Sequence, residues 1–133
     1  MNYALDTNTS IHLMRGTDSV KMQRKYVVML GAKLIIPPFV DYEMHRGLII
    51  KPIPEHEKAY SIICKNCLLE DMPSLAWTRA AHIYAELYNK RFTVKDSDIL
   101  IAAFCMVNNY TLVTNNTKDF ENMNGLQLVD WVK

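Results

Sequence analysis

Short apolar runs alternate with longer segments of helical periodicity along this chain. Residues 3–5, 33–36 and 111–114 are apolar or β-branched and are bounded by polar or proline residues, which is typical of buried strands. The pattern also predicts two further strands, from weaker signals, over residues 68–71 and 126–129. Between these runs, the pattern predicts helices over residues 7–14, 18–30, 39–48, 55–67, 74–90 and 98–108.

The predicted helices have identifiable ends. Thr7 or Asn8 is expected to cap the first helix, and Gly16 to stop it. Strands that alternate with helices predict a parallel sheet with helices on both faces, but the pattern leaves the strand order open. Trp77, Tyr84 and Tyr88 recur near helical spacing. We therefore expect them to pack the longest helix against a neighbour, with base stacking as the alternative.

Composition narrows the class of protein. The 133 residues suffice for one domain with a hydrophobic core, and half of them are apolar. The net charge of +1 leaves any nucleic-acid contact to local basic patches. The apolar runs are far shorter than the roughly 18 residues of a membrane span. The N-terminus has no basic segment followed by an apolar core, so we expect a cytoplasmic protein. Cys64 and Cys67 have a C-x-x-C spacing, but a redox or zinc site would need a thioredoxin-like context or a second ligand pair, so we expect them to be packing residues.

Acidic residues fall where element ends could meet. Asp6 follows the first strand, Glu43 lies in the helix over 39–48, and Asp98 opens the helix over 98–108. Asp119 follows the strand over 111–114, as does Asn116. An acid at a helix start is also explained by the helix dipole alone. Several carboxylates within about 5 Å would repel one another by a few kcal/mol per pair, so a cluster needs protons or a metal. Oxygen ligands favour Mg²⁺ or Mn²⁺, which promote phosphodiester hydrolysis.

Five short motifs appear in an order that has a known counterpart. They are Leu5-Asp6-Thr7-Asn8, residues 42–48 (YEMHRGL), residues 98–103 (DILIAA), residues 112–120 (LVTNNTKDF) and the closing Gly125-Leu126 with Val129-Asp130-Trp131. In this order and spacing, the chain resembles the PIN-domain ribonucleases of the VapC toxin type. The resemblance spans residues 1–131, so we expect one PIN domain over residues 1–133.

The resemblance implies a three-layer α/β/α sandwich with a central parallel sheet and an acidic, Mg²⁺-dependent site, with Mn²⁺ as the other candidate ion. Asp6, Glu43 and Asp98 match the family's acidic positions, and Asp6 and Asp98 are the implied metal ligands. Asn116 stands where many relatives have aspartate. The fourth position therefore stays open between Asn116, which offers a neutral oxygen, and Asp119, which offers a carboxylate and joins the predicted catalytic set.

Other polar residues are predicted to support this site. Thr7, Asn8 and Thr114 are candidates to hydrogen-bond the acids, and Asp96 is a further nearby acid. The candidate contacts to substrate phosphates are basic residues, although a solvated surface would explain them equally well. They are Arg46, Lys90, Arg91 and Lys95.

Three functions compete. The leading hypothesis is an endoribonuclease toxin of a toxin–antitoxin pair. The resemblance implies that it cleaves RNA, with tRNA a favoured class, that a small antitoxin blocks it, and that it forms a homodimer. The alternative is a non-catalytic PIN-like module that binds RNA or protein, which the loss of an aspartate at Asn116 would suit. An aspartyl phosphatase is disfavoured, because Asn8 occupies the place of the second acid that such chemistry requires.

Overall fold

The computed structural model describes residues 1–132, and its elements follow the predicted alternation. None of the helices in this range is long and apolar enough to cross a membrane. The strands within it are β1 (Tyr3–Leu5), β2 (Leu34–Ile36), β3 (Leu68–Leu69), β4 (Thr111–Val113) and β5 (Leu128–Val129). The helices are α1 (Thr7–Arg15), α2 (Asp18–Met29), α3 (Pro38–Ile50), α4 (Pro54–Lys65), α5 (Ser74–Asn89) and α6 (Asp96–Asn108), and a 3-10 turn covers Thr117–Asp119.

The strands form one parallel sheet in the order β3-β2-β1-β4-β5. β1 is central, since Ala4 pairs with Ile35 of β2 on one side and with Leu112 of β4 on the other. The chain runs outward from β1 to β2 and β3, then returns past β1 to β4 and β5. Its direction across the sheet therefore reverses between β1 and β4. In open parallel sheets, this is where a crevice forms at the carboxyl ends of the strands.

The three central strands are buried on both faces. Leu5, Ile35 and Val113 have no exposed surface, as expected for parallel strands between helical layers. Right-handed crossovers place their helices on one face of the sheet where the chain moves from β1 toward β3, and on the other face where it moves toward β5. This produces the two helical layers. α6 is buried over most of its circumference. Because α6 leads into β4, its first turn lies toward the carboxyl ends of the parallel strands. The predicted α/β class and parallel sheet are confirmed.

The predicted packing role of three aromatic residues on α5 is wrong. Trp77, Tyr84 and Tyr88 are 57%, 52% and 70% exposed. α5 instead packs on α6 and the core through smaller side chains on its other face, because these permit a close approach of the two helices. The buried residues of α5 are Ala76, Ala80, Ile83 and Leu87.

The two neighbouring cysteines have no activated thiol. Cys64 lies near the end of α4, and Cys67 lies beyond the helix end at Lys65. Burial raises the pKa of Cys64, and it raises the pKa of Cys67 to about 11. A thiol with a raised pKa forms little thiolate at neutral pH, which agrees with the predicted packing role.

Candidate active site

Asp6 lies at the reversal point of the sheet and is held from two sides. It directly follows β1 and is 5% exposed. Its Oδ1 accepts a hydrogen bond from the Thr7 backbone N–H at 2.8 Å, and its Oδ2 accepts one from the Thr114 hydroxyl at 2.8 Å. The first bond makes Asp6 the N-cap of α1, so the predicted capping by Thr7 or Asn8 is wrong. The second bond joins the ends of β1 and β4.

The hydroxyl of Thr7 is thereby free to position a second acid. It donates to Glu43 Oε1 at 2.8 Å and so connects α1 with α3. Arg46, one turn further along α3, lies 3.5 Å from Glu43 Oε2 and stacks over the Tyr42 ring at 5.1 Å. Glu43 is therefore oriented by a hydroxyl and a guanidinium. Arg46, predicted as a phosphate contact, lies beside an acid of the cleft.

The remaining two acids, Asp98 and Asp119, interact electrostatically with the acids already described. Burial raises the pKa of Asp98 to about 6, and the charges of Asp6, Asp119 and Glu43 add to this effect, while Lys95 opposes it. Burial likewise raises the pKa of Asp6 and outweighs the lowering by its hydrogen bonds from Thr114 and Thr7, while the charges of Glu43 and Asp119 add smaller increases. The four carboxylates predicted from the sequence thus share one electrostatic environment.

This environment predicts a pH-dependent stability of the metal-free protein. The ordinary pKa of Asp98 is 3.8 and its folded value is about 6, so between these values the folded state binds more protons than the unfolded state. The free energy of unfolding in EDTA should therefore fall as pH rises through this window, by about 1 kcal/mol after allowing for solvent screening of a half-buried group. Urea denaturation across this pH range measures it. Asp98→Asn should reduce the slope and leave the part that Asp6 contributes, and an equal slope in the variant would contradict the assignment.

The other predicted residues fall around the cleft in different roles. Asn116 is exposed, and its backbone N–H, not its side chain, bonds to the Thr114 hydroxyl at 3.0 Å. Asn8 is half-buried in the first turn of α1, and Asp96 lies in a neighbouring cleft beside aromatic residues. Lys90 is paired with Glu86 at 3.1 Å, whereas Lys95 acts electrostatically on Asp98.

Sequence reasoning omitted one residue that shapes this site. Thr9 is 2% exposed, and its hydroxyl donates to the Val113 carbonyl at 2.9 Å. It ties α1 to the end of β4 beneath Asp6. A hydroxyl residue on the inward face of α1, one turn after the acid, was the available indication in the sequence.

The donor set fits a hard cation that keeps part of its water shell. The four acids and the hydroxyls of Thr7 and Thr114 offer only oxygen atoms, which suit Mg²⁺ or Mn²⁺. Within residues 1–132, no three histidine, cysteine, aspartate or glutamate side chains lie close enough to bind one ion together. Mg²⁺ characteristically binds through one or two carboxylates and retains several waters, so this spacing is compatible with it.

Comparison with known proteins identifies relatives over the whole chain. The family model described as PIN domain matches residues 3–126. Ribonuclease VapC1 of Rickettsia felis is 41% identical over 97% of this chain and 96% of its own. The tRNA(fMet)-specific endonuclease VapC of Shigella flexneri is 27% identical over 98% of each chain. The crystal structure of VapBC2 from Rickettsia felis, bound to a DNA fragment from its promoter, superposes with a TM-score of 0.90. It is 25% identical and covers 98% of this chain and 99% of its own.

Proposed function

The chain belongs to the PIN-domain family and is of the VapC type, and from this premise we propose that it is a metal-dependent endoribonuclease that acts as the toxin of a toxin–antitoxin pair. Its membership confirms the resemblance seen in the motifs and the α/β/α sandwich they implied. The proposed reaction is hydrolysis of an RNA phosphodiester, with Mg²⁺ or Mn²⁺ bound by the acids of the cleft.

The observation that supports this proposal most strongly is the mutual effect of the four acids. Burial and the charges of Asp6, Asp119 and Glu43 raise the pKa of Asp98 to about 6. At neutral pH this cleft therefore concentrates negative charge that the protein neutralises only in part, through Arg46 and Lys95. Such a cleft would bind a divalent cation and would repel an RNA phosphate in its absence.

Each acid has a proposed role that follows from its contacts. A divalent cation, when bound, lowers the pKa of water and stabilises the charge that develops on the phosphodiester. Asp6 and Asp98 are the residues that would hold the ion. Glu43, fixed by the Thr7 hydroxyl, orients the attacking water. Asp119 supplies the fourth negative charge, and Lys95 and Arg91 contact the RNA backbone on the α6 side of the cleft.

The partners proposed for this chain follow from its relatives. The Shigella flexneri relative is named as specific for tRNA(fMet), and we extend an RNA substrate of the tRNA class to this chain. The solved Rickettsia felis structure is of VapB with VapC, which supports a cognate small antitoxin here. A homodimer and a cytoplasmic location complete the proposal.

RNA cleavage by the isolated chain tests the proposal. We expect the purified protein, free of antitoxin, to cut tRNA at internal positions in Mg²⁺ or Mn²⁺. EDTA should abolish the cleavage, and restored Mg²⁺ should recover it. Cleavage that persists in EDTA would contradict the role of the metal. A folded protein that cuts none of a total cellular RNA pool in either ion would instead favour the non-catalytic binding module.

A further inference from the structure

A second cleft opens beside the acidic one, between the end of α5 and the first turn of α6. Its volume is about 470 Å³. The first turn of α6 separates the two clefts, because Asp96 lines the second one while Asp98, on a different face of the same turn, belongs to the acids. Its principal lining residues are Tyr84, Tyr88, Phe92, Val94, Asp96 and Ile99.

Three aromatic rings of this cleft face solvent. Tyr84, Tyr88 and Phe92 are 52%, 70% and 44% exposed. The rings of Tyr84 and Tyr88 are nearly parallel, with an interplanar angle of 22° and centroids 6.3 Å apart. Because both rings are more than half exposed, each leaves aromatic surface on which a flat ring can stack.

The charges around the aromatic surface match a nucleic-acid strand. Arg91 directly precedes Phe92 and Lys95 directly precedes Asp96 in the sequence, and neither cation forms an ion pair within residues 1–132. Lys90, in contrast, forms an ion pair with Glu86. Free cations beside exposed aromatic rings are the combination with which proteins bind phosphates and unpaired bases together.

We propose that this aromatic cleft is a subsite for unpaired RNA, in which a nucleobase next to the scissile phosphate stacks on Tyr84, Tyr88 and Phe92. This inference rests on the proposed function, since it places the base beside the acids that would cleave the strand. Arg91 and Lys95 bind the phosphates that flank the base. A base in a paired helix cannot reach these rings, so the subsite selects single-stranded segments of structured RNA.

A second copy of the chain fits this cleft less well than RNA does. The exposed side of α5 also includes Trp77, so self-association through this helix is the competing explanation. However, Asp96 lines the cleft, and Arg91 and Lys95 are the sequence neighbours of its lining residues Phe92 and Asp96. The centres of protein interfaces are depleted in charged residues, because burying unpaired charges is costly. RNA supplies phosphates for the cations and base edges for the acid.

The acid in the cleft also predicts a base preference. The carboxylate of Asp96 accepts hydrogen bonds, and among the pyrimidines only cytosine offers an amino group at position 4. Oligocytidine should therefore bind the wild-type protein at least about 5-fold more tightly than oligouridine of equal length. Asp96→Ala should remove this preference. A preference that survives the substitution would exclude Asp96 as the residue that reads the base.

Binding of fluorescein-labelled single-stranded RNA tests the subsite, measured in Mg²⁺ with every protein carrying Asp6→Asn so that cleavage is slow. Tyr88→Ala and Tyr84→Ala should each weaken binding by about 5- to 100-fold. Tyr88→Phe, which keeps the ring, should bind like the wild type. Trp77→Ala is the matched control, because it removes an exposed aromatic of the same helix outside the cleft. In the cleavage assay, Tyr88→Ala should raise KM and leave kcat within about 3-fold.

The outcomes distinguish this inference from the proposed function. Wild-type cleavage with unchanged RNA affinity in Tyr88→Ala would overturn the subsite and leave the ribonuclease assignment intact. Weaker RNA binding in Tyr88→Ala, from a wild-type protein that cuts nothing, would support the subsite and reject the ribonuclease. Light scattering measures the oligomeric state of each variant and so tests self-association through α5. If Trp77→Ala and Tyr88→Ala both convert a dimer to monomers and weaken binding equally, α5 is a self-association face and the inference is wrong.

Discussion

Replacing Asp6 by asparagine should lower the rate of RNA cleavage in Mg²⁺ by at least about 100-fold while leaving the fold intact. Asparagine has the same shape, and its side-chain oxygen can still accept the Thr7 N–H bond that caps α1. It removes the negative charge at the centre of the proposed metal site. Single-turnover cleavage of a labelled tRNA gives the rate, and thermal or urea denaturation checks the fold.

The stability of this variant separates catalytic from structural loss. Burial raises the pKa of Asp6, so its charged form is destabilised in the folded metal-free protein. A neutral amide costs less to bury, and the free energy of unfolding in EDTA should stay equal or rise. Asp18→Asn is the matched control, since Asp18 is an exposed acid that begins α2 beyond the far end of α1. Full activity in Asp6→Asn would show that Asp6 is not needed for cleavage. A loss of activity in Asp18→Asn would show that the loss is not specific to the proposed metal site.

The elements of this fold were readable from the sequence because they depend on local pattern. The apolar run of β1 and the helical periodicity of α6 can each be recognised within a short stretch of sequence, because the pattern of apolar residues there indicates which side chains are buried. The strand order was not readable, because it depends on how crossovers place strands that are distant in the chain. Asp6 and Thr114 are 108 positions apart, yet they share a hydrogen bond because β1 and β4 are neighbours. The family resemblance, not the periodicity, indicated that the acids converge.

Two errors of the sequence interpretation have a common physical cause. Periodicity shows that a helix has an apolar stripe, but it does not show which stripe faces the core. α5 has two apolar stripes. The one with Ala80 and Ile83 is buried, whereas the one with Tyr84 and Tyr88 is exposed. In the same way, a polar triplet after a strand identifies a helix start without identifying its cap. Asp6 caps α1 because its backbone is extended, and this leaves the Thr7 hydroxyl for Glu43.

The position that the sequence left open, Asn116 or Asp119, leads to the second prediction. Asp119→Ala should reduce cleavage by about 10- to 100-fold, whereas Asn116→Ala should change it by less than about 3-fold. The charge of Asp119 raises the pKa of both Asp6 and Asp98, so its carboxylate acts within the cleft. Asn116 and Asp119 are both exposed, but Asn116 bonds to the Thr114 hydroxyl through its backbone N–H, which alanine retains. Matched cleavage assays of the two variants measure the difference.

A structural readout makes this comparison independent of activity. The 3-10 turn that positions Asp119 includes a backbone bond from the Asp119 N–H to the Asn116 carbonyl at 3.0 Å, and both alanine variants keep these groups. Removing the charge of Asp119 should lower the pKa of Asp98 in the metal-free protein, because one of the charges that raise it is gone. Asn116→Ala should leave that pKa unchanged. Carboxyl NMR titration of Asp98 gives both values. A fall in the pKa with Asn116→Ala but not with Asp119→Ala would reverse the assignment, because it would place the fourth interacting group at Asn116.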